Sequence, residues 1–380
     1  MNQAAASRTI MIATSTWEYG AAVPMHFKTL ADELAQRGHR VRLFVDGQAQ
    51  TPNGPPAHTT YVWPSRRPTR WADAAFAHRI FSEHPPDILL ANFGAVNVMT
   101  LVGWWHRVPV RIAWYHTLVE ALRIDHKLSA WQRLLMLRKR LVYRLVTHFA
   151  PASQAAQNDL SIYYGVPDTQ CRVFYNPLHD PLDGAKPASF NPYQLVCVGR
   201  FSQVKGQDIL IRAAPGLRAE FPALKLVFVG DGPLRAECVA LAQSLNVADA
   251  CDFLGSVSHA EALRQIQTAA VKLVPSRSDN CPLTVIEALA CGTPVIAARV
   301  GGIPELIDDG VEGFLAPPDD PAAFAERIAR VLRDDKLRQT LSENARQRFL
   351  ARYNMREAVA READWLEQLA AQRPAKAFLK

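Results

Sequence analysis

Short apolar runs alternate with amphipathic helical stretches along this chain, and the alternation occurs in two series. The first series of runs covers 8–14, 39–45, 87–91, 108–114 and 146–150, and the second covers 194–198, 224–229, 250–253, 271–274 and 295–298. Strands that alternate with helices form parallel sheets covered by helices on both faces. The sequence therefore predicts an α/β chain with two doubly wound parallel sheets.

The stretch 181–192 interrupts this alternation and is rich in Pro, Asp and Gly. Such a composition is typical of a hinge. We predict an N-terminal domain over 1–180, a C-terminal domain over 193–350 and a final helix over 351–380 that crosses back to the N-terminal domain. A chain of 380 residues is long enough to build two ordinary cores.

Composition indicates a globular cytoplasmic protein. No apolar run approaches the roughly 20 residues that span a bilayer, and the brief apolar stretch near the N-terminus resembles a strand more than a signal peptide. The six Cys are scattered without a CxxC pair, which favours reduced thiols over disulfides or a zinc site.

The basic charge is concentrated in the first half of the chain. Residues 1–180 hold 19 Lys and Arg against 12 Asp and Glu, whereas residues 181–380 hold 24 of each. The stretch 123–144 contains seven basic residues, one acidic residue and a tryptophan among leucines. A basic amphipathic helix of this kind suits an anionic membrane surface, which would be contacted by Arg133, Arg138, Lys139 and Arg140.

An ordinary core-packed helix with a solvated charged face is the alternative interpretation of that stretch. Nucleic acid is a weaker candidate for the anionic partner, because no nucleic-acid-binding motif accompanies the charge.

The most informative segment is 275–297, PSRSDNCPLTVIEALACGTPVIA. Pro282 can open a helix, and Gly292 after Cys291 can close it. Glu287 is the one charged residue of the stretch 282–290. Burying a carboxylate without a partner is costly, so we expect a cation, backbone donors or ligand hydroxyls beside it, unless it caps a neighbouring loop.

Charged and polar residues follow several predicted strands. Arg200 and Lys205 come after the run that ends at Gly199, and ligands of open parallel sheets bind beyond such strand ends. The two cations suit a diphosphate, although they could also be solvated surface residues. In the first series, Gly20 precedes a helix, where anions bind readily. His116 follows a strand and could be either structural or a substrate contact.

Together these pieces resemble glycosyltransferase family 4 (group 1), the retaining nucleotide-sugar transferases of GT-B architecture. The second half matches that family through, in order, VGRFSQVKG, VGDGPLRAE, FLGSVSH, PSRSDNCPLTVIEALACGTPVIA and GGIPELIDDGVEGFLAPPDD. The first half matches more loosely, through YGAAVPMHFKTLADELAQRGHRV, PASQAAQNDL and VFYNPLHD. The resemblance implies two Rossmann-like domains that face a cleft, with the donor held mainly by the C-terminal one.

The resemblance also implies roles for individual residues. Arg200 and Lys205 would hold the donor diphosphate, Glu287 would bind the nucleoside ribose, and the backbone of Val257 would meet the nucleobase. Backbone groups at a helix N-terminus would line the sugar and its phosphate, from Asn280, Cys281, Pro282, Leu283 and Thr284.

Three further positions complete the implied site. Asp279 stands where the family's Glu-x7-Glu pattern has its first Glu, and its side chain is one methylene shorter, so the sugar contacts must differ. Gly20 would approach the phosphate or sugar, but it is followed by two alanines where the family often has a glycine pair. His116 would contact a sugar hydroxyl.

The expected activity is transfer of a sugar, with retention, from a nucleotide diphosphate sugar to an acceptor hydroxyl. Arg200, Lys205, Asp279 and His116 would be the catalytic residues, with no metal ion required. A lipid-linked saccharide or a lipopolysaccharide or exopolysaccharide precursor at the inner face of the cytoplasmic membrane is the favoured acceptor. The alternatives are a soluble acceptor, a nucleotide-sugar epimerase of the same architecture, and a non-catalytic sugar-nucleotide binder.

Overall fold

The computed structural model describes residues 7–14, 22–46, 58–125, 130–183 and 190–372, with the backbone alone at 22 and 130–133. The chain divides into two compact units. The first unit comprises Met1–His116, Ser129–Pro177 and Met355–Lys380, and the second comprises Thr117–Leu128 and Leu178–Asn354.

Twelve strands are found in the described residues: β1 (Thr9–Ala13), β2 (Arg40–Val45), β3 (Thr59–Val62), β4 (Ile88–Ala91), β5 (Val110–Tyr115), β6 (His148–Pro151), β7 (Asn191–Val198), β8 (Lys225–Val229), β9 (Cys251–Gly255), β10 (Ala269–Val274), β11 (Val295–Ala298) and β12 (Gly313–Ala316).

The helices of the described part are α1 (Ala22–Gln36), α2 (Trp71–Glu83), α3 (Ala95–Trp105), α4 (Val119–Asp125), α5 (Ala130–Tyr143), α6 (Gln154–Asp159), α7 (Gln207–Glu220), α8 (Arg235–Ser244), α9 (His259–Gln267), α10 (Leu283–Cys291), α11 (Ile303–Leu306), α12 (Pro321–Arg333), α13 (Asp335–Arg352) and α14 (Met355–Ala371). None of these helices is both long and apolar enough to cross a membrane.

Each unit contains one six-stranded parallel sheet, and the two sheets share a strand order. The first runs β3-β2-β1-β4-β5-β6 and the second runs β12-β11-β10-β7-β8-β9. In both, the first strand of the unit lies beside its fourth, and the direction of winding reverses there. The predicted doubly wound parallel sheets are thus present.

Sequence and structure agree most closely where strands are buried on both faces. β11 has the predicted bounds, and β10 begins two residues earlier than expected. α10 ends at Gly292, which adopts the left-handed conformation, as expected for a helix stop. Pro282 caps this helix at the residue before its first turn instead of occupying the first helical position.

β3 and β12 were not predicted. β3 is an edge strand of four residues with no fully buried side chain, so it lacks the apolar run that marks a central strand. β12 is buried, but it is only four residues long, begins with a glycine and also lies at a sheet edge.

α14 supplies part of the core of the first unit. Its residues Trp365 and Leu366 join Phe27 of α1 and Trp114 of β5 in one buried cluster. A buried hydrogen bond accompanies this packing, in which Glu362 Oε2 lies 2.6 Å from His26 Nε2. The last described helix is therefore integral to the first unit.

The Glu362–His26 pair yields a stability prediction. Glu362→Ala leaves the buried imidazole without its hydrogen-bond partner and should lower the free energy of unfolding by about 2 kcal/mol. Urea denaturation monitored by tryptophan fluorescence would measure this loss. Glu357→Ala, at an exposed position of the same helix, is the control and should change it by less than about 0.5 kcal/mol. Equal effects of the two substitutions would contradict the prediction.

Candidate functional site

The predicted phosphate-binding residues lie at the winding reversal of the second sheet. β7 and β10 are neighbours there. Arg200 and Lys205 follow the carboxyl end of β7, and Asp279 follows the carboxyl end of β10. Open parallel sheets bind ligands in the crevice at such a reversal, so the topology brings these residues to a suitable place.

Lys205 is positioned by a tight turn. It ends the 3₁₀ turn Gln203–Lys205, and Gly206 then takes a left-handed conformation with φ 65°. A Cβ at Gly206 would overlap the carbonyl oxygen of Pro275, so only glycine lets this turn approach the loop after β10. The result is that Lys205 Nζ donates a hydrogen bond of 2.6 Å to Asp279 Oδ2.

The Asp279 carboxylate is held by its own loop as well as by Lys205. Ser276 Oγ donates to Oδ2 at 3.1 Å, and the Asn280 backbone N–H donates to Oδ1 at 3.2 Å. The Asp279 carbonyl accepts from the Gly302 N–H at 3.0 Å. The Asp279 side chain therefore lies against its own loop and against Lys205.

Arg277, which was not predicted as a site residue, fixes the two loops to each other. Its guanidinium donates to both carboxylate oxygens of Asp208 at 2.9 and 3.1 Å and to Asp319 at 2.6 Å. Its backbone N–H donates to the Val204 carbonyl at 2.7 Å. Because Val204 adjoins Lys205, these bonds fix the backbone that carries the lysine. Nothing in the local sequence around Arg277 indicated this role.

Arg200 is exposed at the end of β7. Its carbonyl accepts a hydrogen bond of 3.0 Å from the Gln207 side-chain amide, which anchors the backbone at this point. Its guanidinium has no ion pair with any residue that the structure describes. A cation at a strand end without a carboxylate partner can accept an anionic ligand.

α10 starts directly after the loop that carries Asp279, so the N-terminus of this helix adjoins that loop. Asn280, Cys281 and Pro282 are buried, and Leu283 and Thr284 are half-buried. The first turn of this helix carries no acidic side chain. The positive end of the helix dipole suits an anion at such an end.

Glu287 is buried, with 6% of its surface exposed, and it does have a partner. Its Oε1 lies 2.9 Å from Nε2 of His259, a residue that sequence reasoning missed. The hydrogen bond to Glu287 raises the pKa of His259 above its usual value, against a smaller opposing effect of burial. The buried carboxylate therefore has a hydrogen-bond partner, which becomes a cation when the imidazole is protonated.

Two further residues of the second unit, Val257 and Lys272, are relevant to the His259–Glu287 pair. Val257, half-buried, lies in the loop between β9 and α9, two residues before His259. Lys272 of β10 is fully buried, and its Nζ donates to the Leu273 carbonyl at 3.1 Å. Burial lowers the pKa of Lys272, while the charges of Cys197 and Glu287 act in the opposite direction.

His116 of the first unit follows β5, as predicted, and its Nε2 atom is out of contact with solvent. Burial, with a smaller effect of His26, lowers its pKa to about 3. Phe93 stacks on the imidazole, with ring centroids 4.7 Å apart and an interplanar angle of 20°. The imidazole is therefore neutral at physiological pH.

Asn92 and Phe93, at the carboxyl end of β4, were not predicted as site residues. Asn92 is fully buried, and neither of its side-chain polar atoms has a partner in the described part of the chain. Phe93 has a positive φ of 45°, which is costly for an aromatic residue. Strained and unsatisfied groups concentrate at functional sites.

The basic helix predicted as a membrane contact is α5. Arg138 and Arg140 are exposed, as is a row of three leucines, Leu134, Leu137 and Leu141. Gly20 and the side chain of Arg133 lie outside the described residues.

Lys139 is placed differently from its basic neighbours. Its ammonium lies 4.8, 5.2 and 5.0 Å from the ring centroids of Tyr115, Tyr143 and Tyr164. Burial lowers its pKa to about 8, and the nearby charge of Asp159 partly opposes this shift. The side chain thus packs inside the first unit instead of extending from the surface that carries the arginines.

The described residues contain no group of three or more His, Cys, Asp or Glu side chains that could hold a metal ion.

Two family models match consecutive parts of the chain. "Glycosyltransferase Family 4" matches residues 23–180 and "Glycosyl transferases group 1" matches residues 183–348. A D-inositol 3-phosphate glycosyltransferase of Salinispora arenicola is 39% identical over 163 residues, which are 40% of this chain and 36% of that protein. An N-acetyl-alpha-D-glucosaminyl L-malate synthase of Bacillus anthracis is 31% identical over 166 residues, 44% of this chain and 43% of that protein. The chain thus spans about two fifths of each of these relatives.

The same fold occurs in a solved structure. Anabaena Alr3699/HepE in complex with UDP superposes with a TM-score of 0.76 at 20% identity, over 95% of this chain and 100% of that one. Its complex with UDP-glucose gives a TM-score of 0.75 at 21% identity over the same shares. The predicted GT-B fold class is confirmed.

The lowered pKa of His116 predicts an acid sensitivity. Its folded pKa of about 3 lies below the ordinary value of 6.5, so its contribution to stability is complete above pH 6.5 and is lost as the pH falls toward 3. His116→Phe should therefore reduce the slope of unfolding free energy against pH between pH 4 and 5.5 by about 1.4 kcal/mol per pH unit. Urea denaturation at a series of pH values would measure it, and identical slopes would contradict the burial of this imidazole.

Proposed function

We propose, on the premise that this chain belongs to the family 4, group 1 glycosyltransferases, that it moves a sugar, with retention, from a nucleoside diphosphate sugar to an acceptor hydroxyl. The observation that carries the proposal is the meeting of Lys205 and Asp279 at the winding reversal of the second sheet, 2.6 Å apart. The exposed guanidinium of Arg200 follows the adjacent strand end, and the N-terminus of α10 follows the same loop.

This arrangement supports stabilisation of a leaving diphosphate. Negative charge develops on the diphosphate as the bond to the sugar breaks, and preorganised cations and helix dipoles aimed at that charge lower the barrier. Arg200 can bind two phosphate oxygens as a fork, whereas Lys205 acts as a point charge. A diphosphate that binds Lys205 competes with Asp279 for the ammonium, which frees the carboxylate to accept from a sugar hydroxyl.

The remaining steps rest on neutral groups and on the donor itself. In a front-face reaction the leaving phosphate takes the proton of the acceptor hydroxyl, so no protein nucleophile is needed. His116, whose pKa is about 3, would meet a sugar hydroxyl as an uncharged imidazole. We further propose that side chains alone neutralise the diphosphate, and unchanged turnover in EDTA would support this.

The nucleoside is assigned to the Glu287 end of the same unit. A buried carboxylate can accept hydrogen bonds from the two ribose hydroxyls, and the backbone of Val257 lies on the loop that leads into the helix of its partner His259. Because Anabaena Alr3699/HepE has been crystallised with UDP and with UDP-glucose, UDP-sugars are the first donors to test.

A membrane-associated acceptor is supported by the surface of the first unit. α3 packs against α5, and it exposes Leu101, Trp104 and Trp105, the last with 71% of its surface accessible. These residues and the exposed leucines and arginines of α5, which we together call the patch, lie on two helices that pack against each other. Such a composition suits the interface of an anionic bilayer, where a lipid-linked saccharide would be available.

The diphosphate assignment predicts large losses of activity. Lys205→Ala and Arg200→Ala should each reduce kcat/KM by at least about a hundredfold, as for removal of one donor that stabilises developing charge. Product formation from UDP-glucose and a panel of saccharide acceptors would measure it. Arg212→Ala, which removes an exposed cation from α7, is the matched control and should leave activity unchanged. Near-normal turnover in both site variants would contradict the assignment.

The patch predicts binding to anionic vesicles. Arg144 follows α5 directly and is exposed as well. Replacing Arg138, Arg140 and Arg144 with Ser should weaken flotation with phosphatidylglycerol vesicles by about a hundredfold, at roughly 1 kcal/mol for each cation. Nucleotide binding should be unaffected.

The matched control removes three exposed arginines elsewhere in the first unit, Arg66, Arg67 and Arg70. This variant should float as the unmodified protein does. Equal losses in the two triple variants would show that total charge, not this patch, determines binding, and no loss in either would favour a soluble acceptor.

A further inference from the structure

The proposed sugar transfer assigns no role to the contact between His259 and Glu287. It joins the first residue of α9 to the middle of α10, 28 residues later, and both belong to the second unit. The carboxylate is buried, whereas 48% of the histidine side chain is exposed. The imidazole therefore joins a buried carboxylate to the surface of the second unit.

The backbone holds His259 in place for this contact. Ser258 caps α9, its Oγ accepting from the Glu261 N–H at 3.2 Å, so the histidine begins the helix in a fixed orientation. The imidazole occupies Oε1 of Glu287, and it is the one hydrogen-bond partner of this carboxylate among the described residues. The second oxygen, Oε2, can then accept from a ribose hydroxyl without a change of rotamer.

We infer that His259 is a positioning residue of the donor site, which orients the Glu287 carboxylate for the ribose and, when protonated, strengthens the binding of a nucleoside diphosphate sugar. The inference rests on the proposed function, because it takes Glu287 as the ribose contact. Protonation acts in two ways: it turns the bond to Oε1 into a charge-assisted one, and it places a positive charge near an anionic ligand.

Other charges near His259 do not reproduce this effect. On its own helix, Glu261 and Arg264 pair with each other at 2.6 Å. The elements packed against α9 are α10, β10 and β7. Their charged or titratable groups are Glu287 and Cys291 on α10, Lys272 on β10, and Tyr193 and Cys197 on β7. Of these, Glu287 is the group that shifts the pKa of His259.

The sign of the pH dependence follows from the raised pKa of His259. The histidine is charged below that pKa, so donor affinity should be highest there and should fall as the pH rises through it, above 6.5. The diphosphate of a nucleotide sugar carries no proton that titrates between pH 6 and 8.5. A pH dependence of binding in this range therefore reports on the protein.

The test is calorimetric titration of the full chain with UDP-glucose, GDP-mannose and ADP-glucose at pH 6.0, 7.0 and 8.5, followed by the tightest ligand on variants. Affinity of the unmodified protein should fall about three- to fivefold across this range, as for a partly exposed ion pair. His259→Gln keeps a donor to Glu287 without the charge, so it should bind at all three pH values as the unmodified protein does at pH 8.5. His259→Leu should bind more weakly at every pH, by about tenfold.

Arg264→Gln is the matched control, since it removes a positive charge from the same helix without touching Glu287. It should retain the pH dependence of the unmodified protein. The inference is overturned if His259→Gln retains that dependence, or if Arg264→Gln loses it equally. Absence of binding by all three nucleotide sugars at every pH would instead contradict the proposed function, so the two failures are distinguishable.

Discussion

The adjacency of β7 and β10 is the constraint on which the proposed donor site depends. The two strands run parallel to each other, so their carboxyl ends lie at one edge of the sheet. Residues that are about 75 positions apart in the chain, such as Lys205 and Asp279, meet there. A sheet with a different strand order would separate them, whatever the local sequence.

The parts of the fold that the sequence predicted well are those whose burial leaves a continuous apolar run. β10 and β11 are buried along their whole length, and their runs identify them without any knowledge of partners. β3 is half solvated, and β12 is held at an edge by pairing with β11. Pairing of that kind is a tertiary effect, so neither strand was evident from local composition.

The candidate site likewise contains residues that the sequence could predict and residues that it could not. Arg200, Lys205 and Glu287 could be predicted because each is a charge that adjoins or interrupts an apolar run. His259 and Arg277 could not, because their importance lies in contacts with residues 28 and 69 positions away. Lys139 looked like one cation of a basic face, yet three tyrosines from separate elements enclose it. Helical periodicity alone does not reveal which face receives such partners.

The contribution of α14 to the first unit affects how the chain can fold during synthesis. Trp365, Leu366 and five further residues of α14 belong to a core whose other buried members lie between Ile10 and Phe174. That core stays open until the ribosome has made α14, although domains generally fold as units in N-to-C order. The second unit, complete at Asn354, has all of its residues available earlier. The second unit can therefore complete its core before the first one does, although most of the first unit is translated earlier.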